Sequence, residues 1–397
     1  MAKRLAIPSK EIALSVVGPT DSFIASRIQR VNITTDIPTT DVDELGNPQH
    51  AGVVKDTPNI TLTFSAFDVG VKVFAVMTGQ DASAYPAGGV DIENLSEIDA
   101  VLYVKSATDS DFIKSAHAKR LQVRDFAFNY SVDGESTEDY TAIGSEKRWF
   151  KNDVVIDKFT SGTDSFSLSE TPIQLKNGDY LLSVILDGEY LTEVGDGLET
   201  TGEYSVSGTT LSTGDTRTEQ VLVVYHANPA GNNWSDVSDG TMPAAIRGRD
   251  VKIVIGANNI LRVQAVTVNG TLNSEPVREM GNRVIVGYQS QNPTVDGTIT
   301  VLDTDTELID LLTNGSVDSG DTEFEIGSTC SVSGVDLEIK LYDPCDTTVS
   351  GIVLKTVYVP SIEVIGDSYT ANVNNNASQV FNWKSTDAQC IVYSGSR

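Results

Sequence analysis

The feature that most constrains the fold is an internal duplication. Residues 262–313 match residues 27–78 without a gap at an offset of 235 positions, which sets Gly281 over Gly46 (281 minus 46). A chain that repeats itself over a long segment folds as repeated structural units, so a fold assigned to one copy must also suit the other. The identical pairs at this offset are Arg27/Arg262, Gln29/Gln264, Val31/Val266, Val42/Val277, Glu44/Glu279, Gly46/Gly281, Asn47/Asn282, Gly52/Gly287, Pro58/Pro293, Thr63/Thr298, Asp68/Asp303 and Thr78/Thr313.

Both copies predict two strands joined by a long polar connection. Apolar residues alternate with polar ones on either side of this connection, as they do in strands that bury one face. The alternating positions include Ile28, Val31 and Ile33 with Val263, Val266 and Val268, then Ile60, Leu62 and Phe64 with Val295 and Ile299. Few segments have long helical periodicity, so the sequence predicts a mainly β protein with little helix.

A short helix is predicted after the second strand of each copy. The apolar residues at helical spacing are Val73, Phe74, Val76 and Met77 in the first copy, and Leu308, Ile309, Leu311 and Leu312 in the second. The second helix follows a capping-box sequence at residues 304–307, which favours a helix start there. The first helix is rich in β-branched residues, but its apolar spacing copies that of the second.

The duplication extends over whole domains. Residues 121–128 align with residues 357–364 at an offset of 236, which sets Val359 over Val123 (359 minus 123). The segment between the two copies has no counterpart, and its Asp187-Gly188 pair between strand-like runs predicts a hairpin. We therefore predict an N-terminal arm or first strand at 1–26, related domains at 27–155 and 251–397, and an inserted small β-domain with its linker at 156–250.

The charge balance limits the possible partners. The formal net charge is −27 with 55 acidic and 28 basic residues, which argues against a sequence-independent grip on nucleic acid, because that grip needs Lys and Arg at the phosphates. Three explanations fit the acidic surplus: a solvated surface that keeps the protein soluble, a carboxylate-lined passage along which DNA slides, or a salt-adapted source.

Neither the cysteines nor the apolar segments indicate a secreted or membrane protein. Cys330, Cys345 and Cys390 are sparse and odd in number, which fits reduced thiols better than a disulfide framework, and their spacing does not suggest zinc. No apolar run is long enough to span a bilayer. A secretory signal is not expected from the N-terminus.

Catalytic chemistry is not indicated by any motif. His50, His117 and His226 are scattered, and the sequence lacks zinc-protease, nucleophile-elbow and phosphate-loop patterns. Acidic groups such as Asp318 and Asp321 do not follow the order of a calcium loop. We therefore expect no catalytic, metal or cofactor site, and ordinary structural roles for the histidines.

The order of motifs resembles that of the tail-tube proteins of tailed viruses. In each copy a strand is followed by Val42-Asp-Glu-Leu-Gly46-Asn47 or Val277-Arg-Glu-Met-Gly281-Asn282, then a polar connection, a Thr-rich strand and a short helix. This arrangement is similar to that family, which also places an extended loop and a helix around a small β-sandwich or barrel. The resemblance implies two tandem tail-tube-like domains, each with one helix, where most family members have one domain per chain.

The resemblance also implies an assembly and a site. Single-domain relatives that close as rings of six would correspond to a ring of three for a duplicated chain, with pseudo-sixfold symmetry. Such a virion protein would stack its rings into a conduit for viral DNA ejection, with the insert projecting outward, other tail proteins as partners and no specific contact to the DNA. The loops at 39–57 and 274–292 would make the contacts between subunits and between rings, through Val42, Glu44, Gly46, Asn47, Gly52, Val277, Glu279, Gly281, Asn282 and Gly287.

Other function classes stay open. An acidic multidomain β protein also fits an adhesin, a surface-layer protein or a receptor-binding component. A β-sandwich glycosidase would need two carboxyl groups facing each other across a cleft. Within the tail family, a tail-tip or terminator ring has the same sequence features.

Overall fold

The chain folds into a mainly β structure, seen here in a computed structural model. Strands account for 64% of it and helices for 5%, so the predicted fold class is confirmed. Within the described residues, no sheet closes into a barrel. The structure describes residues 12–25, 27–43, 45, 52–67, 70–79, 89–105, 112–160, 163–186, 188–195, 197–217, 220–227, 246–256, 258–260, 262–282, 284–302, 306–314, 334–346, 351–371, 373 and 376–397.

We call the first group of elements the first repeat. Its strands are β1 (Ile12–Val17), β2 (Ser22–Ile24), β3 (Ile28–Asp36), β4 (Thr39–Val42), β5 (Gly52–Lys55), β6 (Asn59–Phe67), β7 (Val90–Asp91), β8 (Glu97–Lys105), β9 (Phe112–Ser131), β10 (Thr137–Gly144) and β11 (Glu146–Phe150). Helix α1 (Lys72–Met77) follows β6, and a 3₁₀ turn spans Ile92–Asn94.

The next eight strands form the insert. They are β12 (Asp153–Phe159), β13 (Thr163–Ser167), β14 (Leu181–Leu186), β15 (Glu189–Tyr190), β16 (Thr192–Glu193), β17 (Glu203–Ser207), β18 (Thr210–Arg217) and β19 (Val221–Ala227). They make two sheets of four, in the orders β12-β19-β14-β15 and β13-β18-β17-β16. Phe166, Leu211 and Tyr225 are buried between these sheets, so the insert has an apolar core of its own.

The remaining elements form the second repeat. Its strands are β20 (Val251–Ile255), β21 (Asn258–Asn259), β22 (Val263–Thr271), β23 (Ser274–Val277), β24 (Gly287–Ser290), β25 (Thr294–Leu302), β26 (Val335–Tyr342), β27 (Val353–Thr370), β28 (Ser378–Ser385) and β29 (Ile391–Ser394). Helix α2 (Glu307–Asn314) follows β25, and a 3₁₀ turn spans Gly248–Asp250.

Both predicted helices are present at the same place in their repeats. In α1, Phe74, Val76 and Met77 are fully buried, and in α2, Leu308 and Leu311 are buried in the same apolar core. Fully burying a side chain of this size contributes roughly 1.5–3 kcal/mol, which outweighs the weak helix preference of β-branched residues. The apolar spacing therefore predicted α1 correctly, despite its β-branched residues.

An inner layer of eight strands runs through both repeats. Its order is β3-β6-β10-β9-β22-β25-β28-β27, with every neighbouring pair antiparallel. Alternate residues of β6, β10 and β25 are buried, so one face of the layer covers the core and the other face is polar. We call the second face the open face.

An outer layer covers the core side of each repeat. In the first repeat it contains β2, β1, β8, the N-terminal part of β9 and β11. In the second repeat it contains β21, β20, β26, the N-terminal part of β27 and β29, and β7 of the first repeat joins it at β29. The long strands β9 and β27 belong to both layers, and one continuous apolar cluster fills the space between the layers in both repeats.

The two repeats can be superimposed through their backbone irregularities. Arg27 and Arg262 both have positive φ (57° and 61°), which fits the offset of 235. Arg120 and Ser361 also share a positive φ (51° and 49°) at a bulge in β9 and in β27, and they define an offset of 241 (361 minus 120). The sequence alignment of residues 121–128 with 357–364 is therefore wrong by five positions.

Candidate assembly interface

The two repeats are joined inside one chain by a strand ladder that we call the internal junction. β22 pairs with the C-terminal part of β9, from Ala265 opposite Ser131 to Thr271 opposite Asp125. Antiparallel pairing of this length satisfies the backbone donors and acceptors of both strands and fixes their register.

The inner layer ends in the two strands that are equivalent to the pair at the internal junction. β3 is the first-repeat equivalent of β22, and residues 366–370 of β27 are equivalent to residues 125–129 of β9. Within the described residues, β3 forms a ladder with β6 alone, and residues 366–370 form a ladder with β28 alone. Each end strand of the layer therefore has an open pairing edge, whereas the same edge of its equivalent strand is paired at the internal junction.

Side chains on the core side of these end strands are more exposed than their equivalents at the internal junction. Phe128 is fully buried, whereas Tyr369, at the equivalent position, is 57% exposed. Val268 is also fully buried, whereas its equivalent Ile33 is only partly buried. Apolar surface at the ends of the layer is the kind that a protein partner covers.

The predicted interface residues form two ribbons that extend from the layers. In the first ribbon (β4 and β5), Val42 lies opposite Gly52, and in the second (β23 and β24), Val277 lies opposite Gly287. The structure thus brings these four predicted residues together in equivalent pairs. Both ribbons are mostly exposed.

The turn of the second ribbon explains part of its sequence motif. Gly281 has a φ of +88°, which favours glycine, and the backbone N–H of Asn282 donates to the carbonyl of Glu279 at 3.2 Å. The Asn282 side chain accepts from the N–H of Val284 at 3.3 Å. The corresponding residues of the first ribbon that lie outside the described residues are Glu44, Gly46 and Asn47.

The second ribbon also shows what a ribbon can contact. The Tyr288 hydroxyl donates to the carbonyl of Ile143 in β10 at 3.0 Å, and the N–H of Ile285 donates to the Ser145 hydroxyl at 2.9 Å. The second ribbon therefore lies against the first repeat. At equivalent turn positions, Leu45 and Met280 are more exposed than any other large apolar side chain described.

The open face of the inner layer is polar but carries few charges. Asn129 donates to Asp139 at 2.8 Å, Asn269 donates to Asp296 at 3.4 Å, and the hydroxyls of Thr267 and Thr298 are 2.9 Å apart. The charged residues at its outward positions are Arg30, Asp36, Arg124, Asp125, Asp139, Asp296, Glu363 and Lys384, and Arg124 lies at the bulge of β9, 3.7 Å from Asp125. Among the described residues, five acidic side chains are placed there, so most of the described carboxylates lie elsewhere.

A buried carboxylate attaches the insert to the first repeat. Asp99 accepts hydrogen bonds from His117 (2.8 Å), the Arg120 backbone (2.9 Å), Ser183 (2.5 Å) and Tyr190 (2.8 Å), and the last two residues belong to the insert. Burial alone would raise the pKa of Asp99, but the nearby His117 and the hydrogen bonds outweigh it and lower the pKa to about 2.

The face that receives the insert differs between the repeats. Ala13, Val101 and Tyr103 of the first repeat pack against Leu182 and Val224 of the insert. At the equivalent positions the second repeat has the charged residues Lys252, Glu338 and Lys340. Lys340 and Glu338 form an ion pair at 2.8 Å, so the equivalent face of the second repeat carries paired charges where the first repeat has apolar side chains.

A half-open cleft of about 440 Å³ lies at the seam between the insert and the first repeat. Asp153 and Asp157 line it, and burial raises the pKa of Asp153 to about 7. Asp157 accepts hydrogen bonds from Ser169 and from the Tyr225 hydroxyl. Its carboxylate is therefore engaged within the insert, by β19 of its own sheet and by a residue that follows β13.

Among the described residues, no group of three or more His, Cys, Asp and Glu side chains is placed to hold a metal ion. No described helix has the length and apolar character needed to cross a membrane. His117 is buried against Asp99, and burial lowers the pKa of His226, whose ring lies 4.6 Å from that of Phe150.

The sequence reasoning missed the residues that act across repeats. Glu138 and Lys355 form a buried ion pair between β10 and β27, and they are 217 positions apart in the chain. The exposed residues at the ends of the layer were missed for the same reason, because their environment depends on which strands meet. A signal that could have found them is the comparison of the repeats at the correct offset, because Phe126 and Gly270 of the internal junction are replaced by Asp367 and Thr35 at the ends of the layer.

No protein-family model matches the chain, and no curated protein matches it. Among solved structures, the chain is similar to a chain of the "Cryo-EM Structure of an Extracellular Contractile Injection System, PVC sheath-tube complex in extended state". This match has 18% sequence identity and a TM-score of 0.29, and it covers 40% of this chain and 99% of the other.

Proposed function

We propose that this protein is a non-enzymatic structural subunit that assembles head to tail with copies of itself, as a tail-tube protein of a tailed virus does. The observation that carries the proposal is the equivalence between the two ends of the inner layer and the two strands of the internal junction. A surface at one end that fits the other end of the next copy is a heterologous interface. Such interfaces produce rings when the rotation closes and filaments when it does not.

The register of this contact follows from the internal junction. Thr267 lies opposite Asn129 there. Subtracting 235 from the first number and adding 241 to the second places Asn32 of one copy opposite Thr370 of the next. Pairing in this register would extend the inner layer across copies and cover both of its ends, which would otherwise be open to aggregation.

A ring of three copies is the closed form that we propose. Each chain supplies two repeats, so three chains place six repeats around one axis, and the internal junction alternates with the contact between copies. The ribbons would reach from ring to ring, because Leu45 and Met280 present apolar side chains at equivalent turns. Stacked rings of this kind form a tube in the virion.

The open face suits the lining of a conduit for viral DNA. Its outward side chains are mainly Thr, Ser and Asn, with Arg30, Arg124 and Lys384 as its cations. Binding that is independent of DNA sequence requires several Lys or Arg contacts to phosphates. A face with so few cations lets DNA pass during ejection without holding it, and the insert, on the opposite side of the first repeat, projects outward.

Disulfide trapping tests the proposed contact. In a variant whose three natural cysteines are replaced by alanine, we introduce Asn32→Cys with Thr370→Cys. Opposite residues in an antiparallel ladder have Cα atoms within the range that a disulfide bridges. We expect disulfide-linked dimers and trimers on non-reducing gels, and rings by electron microscopy and mass photometry of the wild-type protein.

Two controls define the result. Asn129→Cys with Thr267→Cys, the equivalent pair at the internal junction, should form a disulfide within one chain. Asn32→Cys with Tyr369→Cys places the two thiols on opposite faces and should not cross-link. A wild-type protein that stays monomeric at every concentration, with no trapped oligomers, would contradict the proposal and favour a binding protein instead.

A further inference from the structure

The internal junction contains a buried ion pair that links the layers of the two repeats. Lys355, in the outer layer of the second repeat, contacts the carboxylate of Glu138 in the inner layer of the first, and both side chains are at most 2% exposed. The Lys355 ammonium also lies 4.3 Å from the centre of the Phe128 ring. A cation placed between a carboxylate and an aromatic face gains from both contacts.

The equivalent residues at the two ends of the chain are exposed. An offset of 241 relates Lys355 to Lys114 (355 minus 114) and Phe128 to Tyr369 (369 minus 128). Lys114 is exposed and lies over the ring of Trp149, which is itself 50% exposed. A lysine and two aromatic rings are thus placed on surfaces whose counterparts are buried.

The carboxylate lies on different strands in the two repeats: Glu138 is on β10, whereas Asp367 is on β27, the equivalent of β9. Glu138 is equivalent to Gln379, which has no charge, but the Gln379 amide donates to Asp367 at 3.0 Å. Asp367 takes the place that Phe126 has in the first repeat. One end of the layer therefore supplies the lysine, Lys114, and the other end supplies a carboxylate, Asp367.

The residue opposite this position also differs in size between the internal junction and the ends of the layer. Gly270 lies against Phe126, and a Cβ added to it would come within 2.0 Å of that ring. At the ends of the layer the equivalent pair is Thr35 and Asp367, a larger residue facing a smaller one. Such an exchange is expected if Thr35 and Asp367 face each other in a packed interface.

We propose that Lys114 of one copy lies over the Tyr369 ring of the next copy and pairs with Asp367 of that copy. The proposal rests on the head-to-tail assembly proposed above and names the residues that hold it together. In the separate chain these charges keep the ends of the layer hydrated, which discourages incorrect edge pairing.

Charge reversal and exchange test the pair. Lys114→Asp and Asp367→Lys alone should each raise the dissociation constant of assembly by about tenfold or more at low salt, because a charge is left beside a like charge in the contact. The double variant, with the charges exchanged, should recover most of the affinity. Lys176→Asp, which makes the same charge change at an exposed turn of the insert, should assemble like the wild type.

Each outcome is read by mass photometry against concentration, with circular dichroism to confirm folding. Assembly by both single variants at the wild-type concentration would overturn the ion pair while leaving the head-to-tail assembly intact. A double variant that assembles no better than the single variants would also overturn the ion pair. Absence of assembly by the wild type would instead overturn the proposed function on which the pair depends.

Discussion

Asp99 is the residue on which attachment of the insert depends. We predict that Asp99→Asn lowers the free energy of unfolding at pH 7 by on the order of 2 kcal/mol, the size expected from its lowered pKa. Because the folded-state pKa of about 2 is below the ordinary value of 3.8, the stabilisation is complete above about pH 4 and is lost as the pH falls toward 2. Chemical denaturation at several pH values measures this, and the wild type and the variant should converge in acid.

The second repeat provides a matched control for Asp99. Its equivalent, Asp336, accepts a hydrogen bond from the Tyr358 hydroxyl at 2.8 Å and from the backbone of Ser361 at 3.3 Å. Within the described residues, the insert donates hydrogen bonds to Asp99 but not to Asp336. We therefore expect Asp336→Asn to lower the free energy of unfolding by less than Asp99→Asn does. Equal losses in the two variants would show that attachment of the insert is not what makes Asp99 important.

At the residue scale, the sequence predicted turn chemistry better than buried polar contacts. Gly281 at positive φ follows from the local motif, because only the backbone of its own turn is involved. The contacts of Asp99 with Ser183 and Tyr190 join positions that are 84 and 91 residues apart. Local patterns cannot indicate such contacts, since they are created by how the insert packs.

At the scale of strands, Gly270 allows β22 to approach β9. We predict that Gly270→Ala destabilises the protein by about 1–3 kcal/mol, because the added methyl group would overlap the Phe126 ring and force it to move. Gly287→Ala is the control, since nothing lies within 4 Å of the Cβ it would add. Thermal unfolding of the two variants compares them, and equal stability would contradict close packing at the internal junction.

Strands and helices were predicted well from apolar spacing, but their alignment between repeats was not. In β9 the core residues Leu121 and Val123 are followed, after a bulge, by Phe126 and Phe128. A bulge shifts the alternation by one residue, so the apolar pattern repeats after five positions. The apolar pattern therefore fits equally well when the alignment is shifted by five positions. The bulges at Arg120 and Ser361 and the strand pairing identify the true offset.

At the scale of the whole molecule, the duplication predicted two related units but not how they join. The sequence showed strands with one buried face, which any β-sandwich needs. The pairing of β22 with β9, and the matching ends of the inner layer, depend on contacts between residues more than 100 positions apart. The sequence alone does not show that one junction is formed within the chain, or that the two strands of an equivalent junction lie at the ends of the inner layer.

If rings form through the end strands, the ribbon tips should control a separate step, the stacking of rings. We predict that Leu45→Asp combined with Met280→Asp leaves rings intact but prevents tubes, because each ring contact would then bury unpaired carboxylates in place of two exposed apolar side chains. Electron microscopy would show single rings, and analytical ultracentrifugation would show one oligomer at all concentrations. Leu198→Asp changes an exposed apolar residue of the insert (69% exposed) in the same way and should not affect stacking. Tubes that persist in the double variant would place the ring-to-ring contact elsewhere, and loss of the rings themselves would assign the ribbons to contacts within the ring.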